Sequence, residues 1–529
     1  MRKTLLISVL VFLCSFAQAS ERVFITTDRG AYISGDRVWC SLFCVGDDGL
    51  LSAGSAVAYI ELVSAEGTAV EEKAALFGGR GCTSFTLPTN LPTGNYRLVA
   101  YTSCGGVSIS GSRIISVYNT FSTSRVKDGV IISNTYSFDE ACEEADGISI
   151  NTPVLIGAGK DFNITLKTDE PATLAVSVFI DDGLSQQAPA SLSAFLASGE
   201  YFPEQGPLEY DGEVISASVV GAPVGTVAIL SSSGSASDTY VSTVRSDGRV
   251  FFPTGNIFGT RELVCELFCE NDDCYMVFDS PFRNPSACDL PQLILSPSQE
   301  EPLIARKEHL RLNVKSDTLY TFLPKREDLL FETVDWEVYH LDDYTRFPTV
   351  KEVVVEILKN VIIGRSHGSK SLMVLSQDGT ESKRTVMDNV LAMLDGVIIT
   401  DLDLLLDFDA MLIQDVEVCT NGFAIGHTPY SGAVNFITRK NYVTALDFPS
   451  RVRVLDYNGV GYPLAYFGER PKSGIDSREL LYWSPVADID GNMGISIAAP
   501  QYEGRFCICA EGITRSGKAV KAVKYINIR

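Results

Sequence analysis

The sequence predicts a mainly β fold: several β-sandwich modules in tandem, with one small α+β module among them. Three observations carry this. From Val23 onward, short runs of alternating apolar and polar residues are broken by Gly, Asp, Asn and Pro, as in antiparallel strands joined by tight turns. A strand–loop–strand unit occurs twice, since Gly81 to Pro88 followed by Gly94-Asn95-Tyr96-Arg97-Leu98 is echoed by Gly494 to Pro500 followed by Gly504-Arg505-Phe506-Cys507-Ile508. One stretch departs from this pattern: behind Thr349 and Glu352, which form a capping box, Val350, Val353, Val354, Ile357 and Leu358 recur at helical spacing and predict a helix over Val350 to Lys359.

Composition bounds the rest. With 529 residues, 45% of them hydrophobic and 10% aromatic, the chain can bury several cores and is not disordered throughout. Residues 1–19 combine Arg2 and Lys3, an apolar run from Leu5 to Phe16, and Ala17-Gln18-Ala19, which predicts an export signal cleaved after Ala19. Lipidation at Cys14 would need a small residue before it, where this chain has Leu13; it stays open as the lesser alternative. No later stretch is apolar for the roughly 18 residues of a spanning helix. Without Arg2 and Lys3 the formal charge of −23 becomes −25, so neither nucleic acid nor an anionic membrane surface is an expected partner.

Thirteen cysteines, twelve of them beyond the signal, suit an oxidising compartment by number. By spacing, Cys40 with Cys44, Cys265 with Cys269 and Cys507 with Cys509 would share strand faces and could not bridge to each other. Two readings remain: small buried hydrophobes or a disulfide framework. No C-x-x-C or paired Cys/His cluster of zinc spacing occurs.

In TTDRGAYISGDRVWCSLFCVG, a Gly35-Asp36 turn precedes a strand with Val38, Cys40, Leu42 and Cys44 on one face. In LPTGNYRLVAYTS, a Gly94-Asn95 turn launches Tyr96, Leu98 and Ala100. TDRGAYISGDRVW resembles the T-D-K-P-x-Y-x-P-G-D-x-V opening of a macroglobulin-type domain, with Gly30 and Ser34 in place of its prolines, and LPTGNYRLVAYT resembles that domain's end. The resemblance implies an immunoglobulin-like or macroglobulin-like β-sandwich over 20–120. A second macroglobulin-like β segment is expected over 146–207, with a short helix in Ser191 to Phe202. Residues 208–290, with turns at Pro223 and at Asp247-Gly248, resemble a carboxypeptidase-regulatory-like sandwich. Residues 450–529, containing ELLYWSPVADIDGNMGISIAAP, are expected to close the chain as a further sandwich of the macroglobulin type. No clean period emerges over 182–205 or 284–337.

The α+β module covers 338–442. Its Asp395-Gly396-Val397, Val416-Glu417-Val418 and Gly432-Ala433-Val434-Asn435 resemble three pieces of the plug domain of TonB-dependent outer-membrane receptors. The resemblance implies a structural role for these residues: a turn at Asp395-Gly396, two strands, and Gly432 where a side chain would not fit. Thr420-Asn421 and Tyr430-Ser431 depart from the plug pattern. A receptor barrel needs roughly 300 residues or more; 89 follow Lys440 and read as a sandwich, so the expectation is a plug without a barrel.

Candidate chemistry is sparse. Asp401, Asp403, Asp407 and Asp409 suggest a metal loop, but a calcium loop starting at Asp401 would need an oxygen ligand and a glycine where Leu405 and Leu406 stand. The alternative is a short helix with Leu402, Leu405 and Leu406 inward and Asp403 and Asp407 wet. The four histidines, His309, His340, His367 and His427, are scattered; His340 near Asp342 and Asp343 comes nearest to an acid/base pair. Motifs of zinc proteases, α/β-hydrolases and P-loops are absent, and Gly81-Cys82 lacks the thioester continuation of trapping macroglobulins. No catalytic, cofactor or metal residue is assigned. The expected function is a non-enzymatic exported scaffold or protein-binding protein of the Gram-negative envelope, in the periplasm or at the outer membrane. The alternatives are a plug-like accessory to a separate TonB-dependent barrel and, more weakly, a hydrolase with a site assembled from distant loops. The expected partner is an envelope or outer-membrane protein; small-molecule ligands stay open.

Overall fold

The computed structural model describes residues 21–121, 129–134, 143–188, 190–200, 206–234, 238–269, 273–285, 290–313, 320–322, 335–366, 369–377, 384–425, 428–471 and 475–529. The export signal, Cys142, Cys288, His367 and His427 lie outside the described residues. The fold is mainly β and multidomain, as its alternating runs dictate. It divides into two compact units: residues to Gly212 with Pro281–Leu323 and Val460–Arg529, and Glu213–Ser280 with Pro324–Gly459. Among the described residues no helix is long and apolar enough to cross a membrane.

The first unit opens with a sandwich. One layer pairs Arg22–Thr27, Arg37–Val45 and Arg80–Thr86; the other pairs Val57–Ser64, Gly94–Tyr101 and Arg113–Tyr118, with Ala31–Ile33 added in parallel as its edge strand. The long strand Gly67–Phe77 joins the layers, pairing with Val57–Ser64 over most of its length and with Arg80 and Gly81 at its end. Val38, Cys40, Leu42 and Cys44 share the buried face and pack with Ile60, Leu98, Ala100 and Val117.

The stretches read as two modules, 146–207 and 450–529, instead build one sandwich between them. Ala172–Ile180 lies between Leu480–Ile489 and Gly504–Thr514, and Asp161–Thr168 pairs with Asn492–Ala498 in the facing sheet. The physical reason is burial: neither segment has enough strands to cover its own apolar face, and Ile164, Leu166, Leu174 and Val176 share one core with Ile495, Ile497, Ile508 and Ile526. The internal repeat reappears here as structure. In both sandwiches the first strand of the pair, Arg80–Thr86 or Asn492–Ala498, lies in one layer and the second, Gly94–Tyr101 or Gly504–Thr514, in the other.

The second unit begins with two small sheets, Arg249–Pro253/Val214–Val220/Tyr275–Phe278 and Thr239–Thr243/Val227–Ser232/Thr260–Leu267. The latter gains a fourth strand, Val452–Asn458, from the stretch assigned by sequence to the closing sandwich. Leu455 and Tyr457 pack on the core of these sheets, which places the strand. Cys265 is buried there as a free thiol, whereas Cys269 lies beyond the strand and forms a disulfide with Cys274. Cys40, Cys44, Cys419 and Cys507 are also buried and free, so at these positions the cysteines are small buried hydrophobes, and among the described residues one pair is bridged.

The rest of this unit is α+β. A mixed sheet runs Glu337–His340, Ile413–Cys419, Gly432–Thr438, Val390–Leu394, Val397–Ile398; Val390–Leu394 and Gly432–Thr438 are parallel. The helix behind Thr349 spans Val350–Glu356, and its capping box is formed as read. It ends short of Lys359 because the chain turns at Ile357 to enter the strand Val361–Ser366.

Candidate functional site

The residues that carry the resemblance to a plug domain come together as one hydrogen-bonded and packed group. Asp395 and Gly396 both have positive φ (50° and 78°) and form the two-residue turn between Leu394 and Val397, the conformation that favours Asp-Gly. The Asp395 carboxylate accepts from the Thr438 backbone N–H (2.7 Å), the Thr438 hydroxyl (2.7 Å) and the Tyr442 N–H (3.1 Å). Burial pushes this carboxyl up despite those bonds. The Gly396 N–H donates to Asn435 Oδ1 (3.0 Å), and Asn435 Nδ2 donates to Glu417 Oε2 (3.0 Å). Val397, Val416, Val418, Ala433 and Val434, on strands of the same sheet, are buried. Gly432 sits where a Cβ would come within 2.5 Å of the Cys419 carbonyl oxygen and 2.8 Å of Val374 Cγ2. Gly432→Ala is therefore expected to destabilise this unit by about 1–3 kcal/mol, since a backbone neighbour cannot yield as a side chain can; urea denaturation measures it.

Three of the four aspartates have local structural partners. Asp401 caps the helix Leu402–Leu406 through the Asp403 N–H, Asp409 accepts from the Met411 N–H, and Asp403 pairs with Lys370. Leu402, Leu405 and Leu406 are buried. Among the described residues no group of three metal-ligating side chains is assembled. His340 pairs with neither of its sequence neighbours through a hydrogen bond: its Nδ1 lies 2.8 Å from Asp415 Oδ1, Asp342 pairs with Arg346 and Arg439, and Asp343 adds only a weaker electrostatic pull on the imidazole. The Asp415 hydrogen bond and charge raise the imidazole above its usual value. Asp415→Asn is expected to bring the His340 titration down toward 6.5, read from its ring proton shifts by NMR.

Sequence reasoning missed a buried ionic cluster in the first unit. Arg306 lies on the helix Glu300–Asn313, within a stretch where no period was read; its start signal, Ser296 with Pro297 and Gln299 ahead of two glutamates, was visible. Its guanidinium holds both oxygens of Asp182 (2.6 and 3.0 Å) and donates to the Ala31 carbonyl (2.6 Å). Glu479 stands beside it, with Oε1 3.1 Å from His309 Nδ1 and Oε2 3.6 Å from Arg29 and 3.8 Å from Arg306. Arg29 also pairs with Asp36 at 2.9 Å, and Asp28 accepts from the Tyr32 hydroxyl (2.7 Å) and the Trp39 N–H (3.0 Å). Burial raises the carboxyls of Asp28 and Asp36 in spite of Arg29. For Glu479 burial also pushes upward, but Arg306, His309 and Arg29 together outweigh it and hold the carboxyl below its usual value. The cluster's four carboxylates are turned to guanidinium, imidazole, hydroxyl and backbone donors, so the arrangement is built to hold cations.

The second unit offers a different feature, an apolar outer sheet face. Val220 and Tyr275 are paired across neighbouring strands, Val277 lies beside Ser218, and all three are exposed (44%, 45% and 54%). On the other side of the central strand, Phe251 lies under the guanidinium groups of Arg245 and Arg249, 4.4 and 5.0 Å from its centroid.

Fold and sites thus define a mainly β, multidomain protein with a buried ionic cluster and an exposed sheet face. No family model matches the chain, and no curated protein matches it. Among solved structures it aligns with a Salmonella alpha-2-macroglobulin reacted with methylamine at 10% identity, over 96% of this chain and 39% of that one. It also aligns with the native Escherichia coli alpha-2-macroglobulin at 9% identity, over 97% and 40%; the TM-score is 0.25 in both cases. A Yersinia pseudotuberculosis adhesin aligns over 67% of this chain and 75% of its own at 11% identity and a TM-score of 0.16. The chain spans about two fifths of the length of the macroglobulins it matches. At these TM-scores and identities the alignments assign neither a family nor an activity.

Proposed function

We propose that the chain is a non-enzymatic, exported protein-binding scaffold of the Gram-negative cell envelope that works at the outer membrane. The observation that carries the reading is the outer face formed by Val220, Tyr275 and Val277. Large apolar side chains contiguous on an exposed sheet face gain by being covered, and a protein surface is the cover that matches a flat β face flanked by charge. The export signal of residues 1–19 supplies the compartment in this reading. The test is crosslinking in intact cells with Tyr275→Lys combined with Val277→Lys, both outward-facing and harmless to the core. The partner captured by the wild type should be lost from the double variant at unchanged thermal stability; its undiminished capture would sink this assignment of the binding face.

The Asp395-Gly396 turn, with Asn435 and Glu417 tied behind it, favours a second reading, a plug-like accessory to a separate TonB-dependent barrel. A barrel receptor that co-purifies with the wild type, and equally with the double variant, would select this reading over the first.

A further inference from the structure

The helix Glu300–Asn313 is attached in an unusual way. Of its side chains with described burial, only that of Arg306 is fully buried; Leu303 and Leu310 are partly covered and Ile304 is 58% exposed. A helix that docks by an apolar stripe shows the opposite distribution. Its principal anchor is therefore a cation in a socket.

The socket belongs to other parts of the unit. The Ala31 carbonyl comes from the edge strand Ala31–Ile33, Asp182 follows the strand Ala172–Ile180, and Glu479 precedes Leu480–Ile489. Two of these acceptors also have partners outside the helix: the Ile180 N–H donates to the Glu479 carbonyl (2.8 Å), Asp182 Oδ1 accepts from the Leu184 N–H (3.3 Å), and Arg29 pairs with Glu479 Oε2, while His309 of the helix holds Glu479 Oε1 beside the socket. At the free side of the edge strand, Arg306 takes the Ala31 carbonyl, while Asp36 takes the Ile33 N–H through its carboxylate (2.9 Å) and the Ile33 carbonyl through its own N–H (3.0 Å). A planar fork against one carboxylate and a carbonyl is recognition by shape that lysine cannot reproduce.

We propose that this socket is a guanidinium-binding site occupied in cis, that the helix Glu300–Asn313 is a releasable latch held in it by Arg306, and that an arginine presented on a helical segment of a partner protein takes its place. The partner clause rests on the protein-binding reading above. The latch and the socket do not, and the experiment addresses them directly, so the two can fail separately.

The probe is a synthetic peptide of residues 296–313, added to the full chain carrying Arg306→Ala, with amide exchange measured in parallel. In the variant, exchange across 300–313 should rise by about tenfold or more over wild type while Ala172–Ile180 stays protected. The peptide should bind the variant about tenfold or more tighter than it binds the wild type, and the same peptide with Arg306→Gln should not. Unchanged protection of 300–313, or binding indifferent to the peptide's arginine, would overturn the proposal. If Ala172–Ile180 also loses protection, Arg306→Lys replaces the alanine variant: it keeps the charge and removes the fork. Faster helix exchange is again expected, and wild-type protection of the helix overturns the latch.

Discussion

Glu479→Ala is expected to destabilise the unit that contains it by about 3–5 kcal/mol, the range for removing one partner from a buried ionic group. The reason is what it leaves behind. Arg29 and Arg306 are each less than a tenth exposed, and both guanidiniums look toward this carboxylate. Asp36 and Asp182 retain one cation each, but the fourth wall of the cluster becomes a methyl group. Glu479→Gln isolates the charge and makes the effect depend on pH. The wild-type carboxyl is held below its usual value of 4.5, so its contribution is fully present above that pH and is lost as pH falls through the lower folded-state value. The raised carboxyl of Asp28 acts with the opposite sign in both proteins and cancels in the comparison, whereas Asp36 is raised partly by the Glu479 charge itself, so its opposing contribution is smaller in the variant and works against the main effect. Urea melts at pH 7 and pH 3 decide the matter: the gap between wild type and Glu479→Gln should shrink on acidification, and a gap that widens would refute the charge assignment.

Phe436→Ala is expected to cost about 3–5 kcal/mol in the other unit. Phe436 is fully buried on Gly432–Thr438, the middle strand of the mixed sheet, opposite Val416 on one side and Leu394 on the other. Its ring belongs to the core shared by Val350, Val353 and Val354 of the capped helix and by Leu405 and Leu406, so its removal leaves a cavity in that shared core. The control is Val355→Ala on the same unit, whose side chain is 65% exposed and whose loss should move the transition by less than about 0.5 kcal/mol. Comparable losses in the two variants would mean that the core is not organised around this strand.

What the sequence made legible was local. Alternation placed Val38, Cys40, Leu42 and Cys44 on one buried face because period two is a property of a single strand. The capping box at Thr349 and the Asp395-Gly396 turn are likewise set within four residues. Strand partnership is different. Nothing in DFNITLKT says that its neighbour is NMGISIA, since any alternating strand covers any other, and the second sandwich was therefore read as two. The ionic cluster was hidden for the same reason: Arg29, Asp182, Arg306 and Glu479 each sit in a polar, surface-like context in the chain, and only the fold makes them neighbours. The helix Glu300–Asn313 escaped a search for apolar periodicity because its buried side chain is charged.

The discontinuity of the second sandwich also sets the order in which the molecule can form. Thr173 and Asp488, hydrogen-bonded across its sheet, are separated by 315 residues. Closing a loop of that length costs about 5 kcal/mol of chain entropy before any strand pair compensates, and distant pairing slows folding more than it weakens the product. During synthesis Ala172–Ile180 emerges long before either of its neighbouring strands, with its apolar face uncovered. Compaction of the intervening unit shortens the effective loop, so that unit acts as a kinetic aid to the sandwich it interrupts. Until Gly504–Thr514 arrives, the nascent chain carries an open, aggregation-prone strand, the kind of surface a holding chaperone covers.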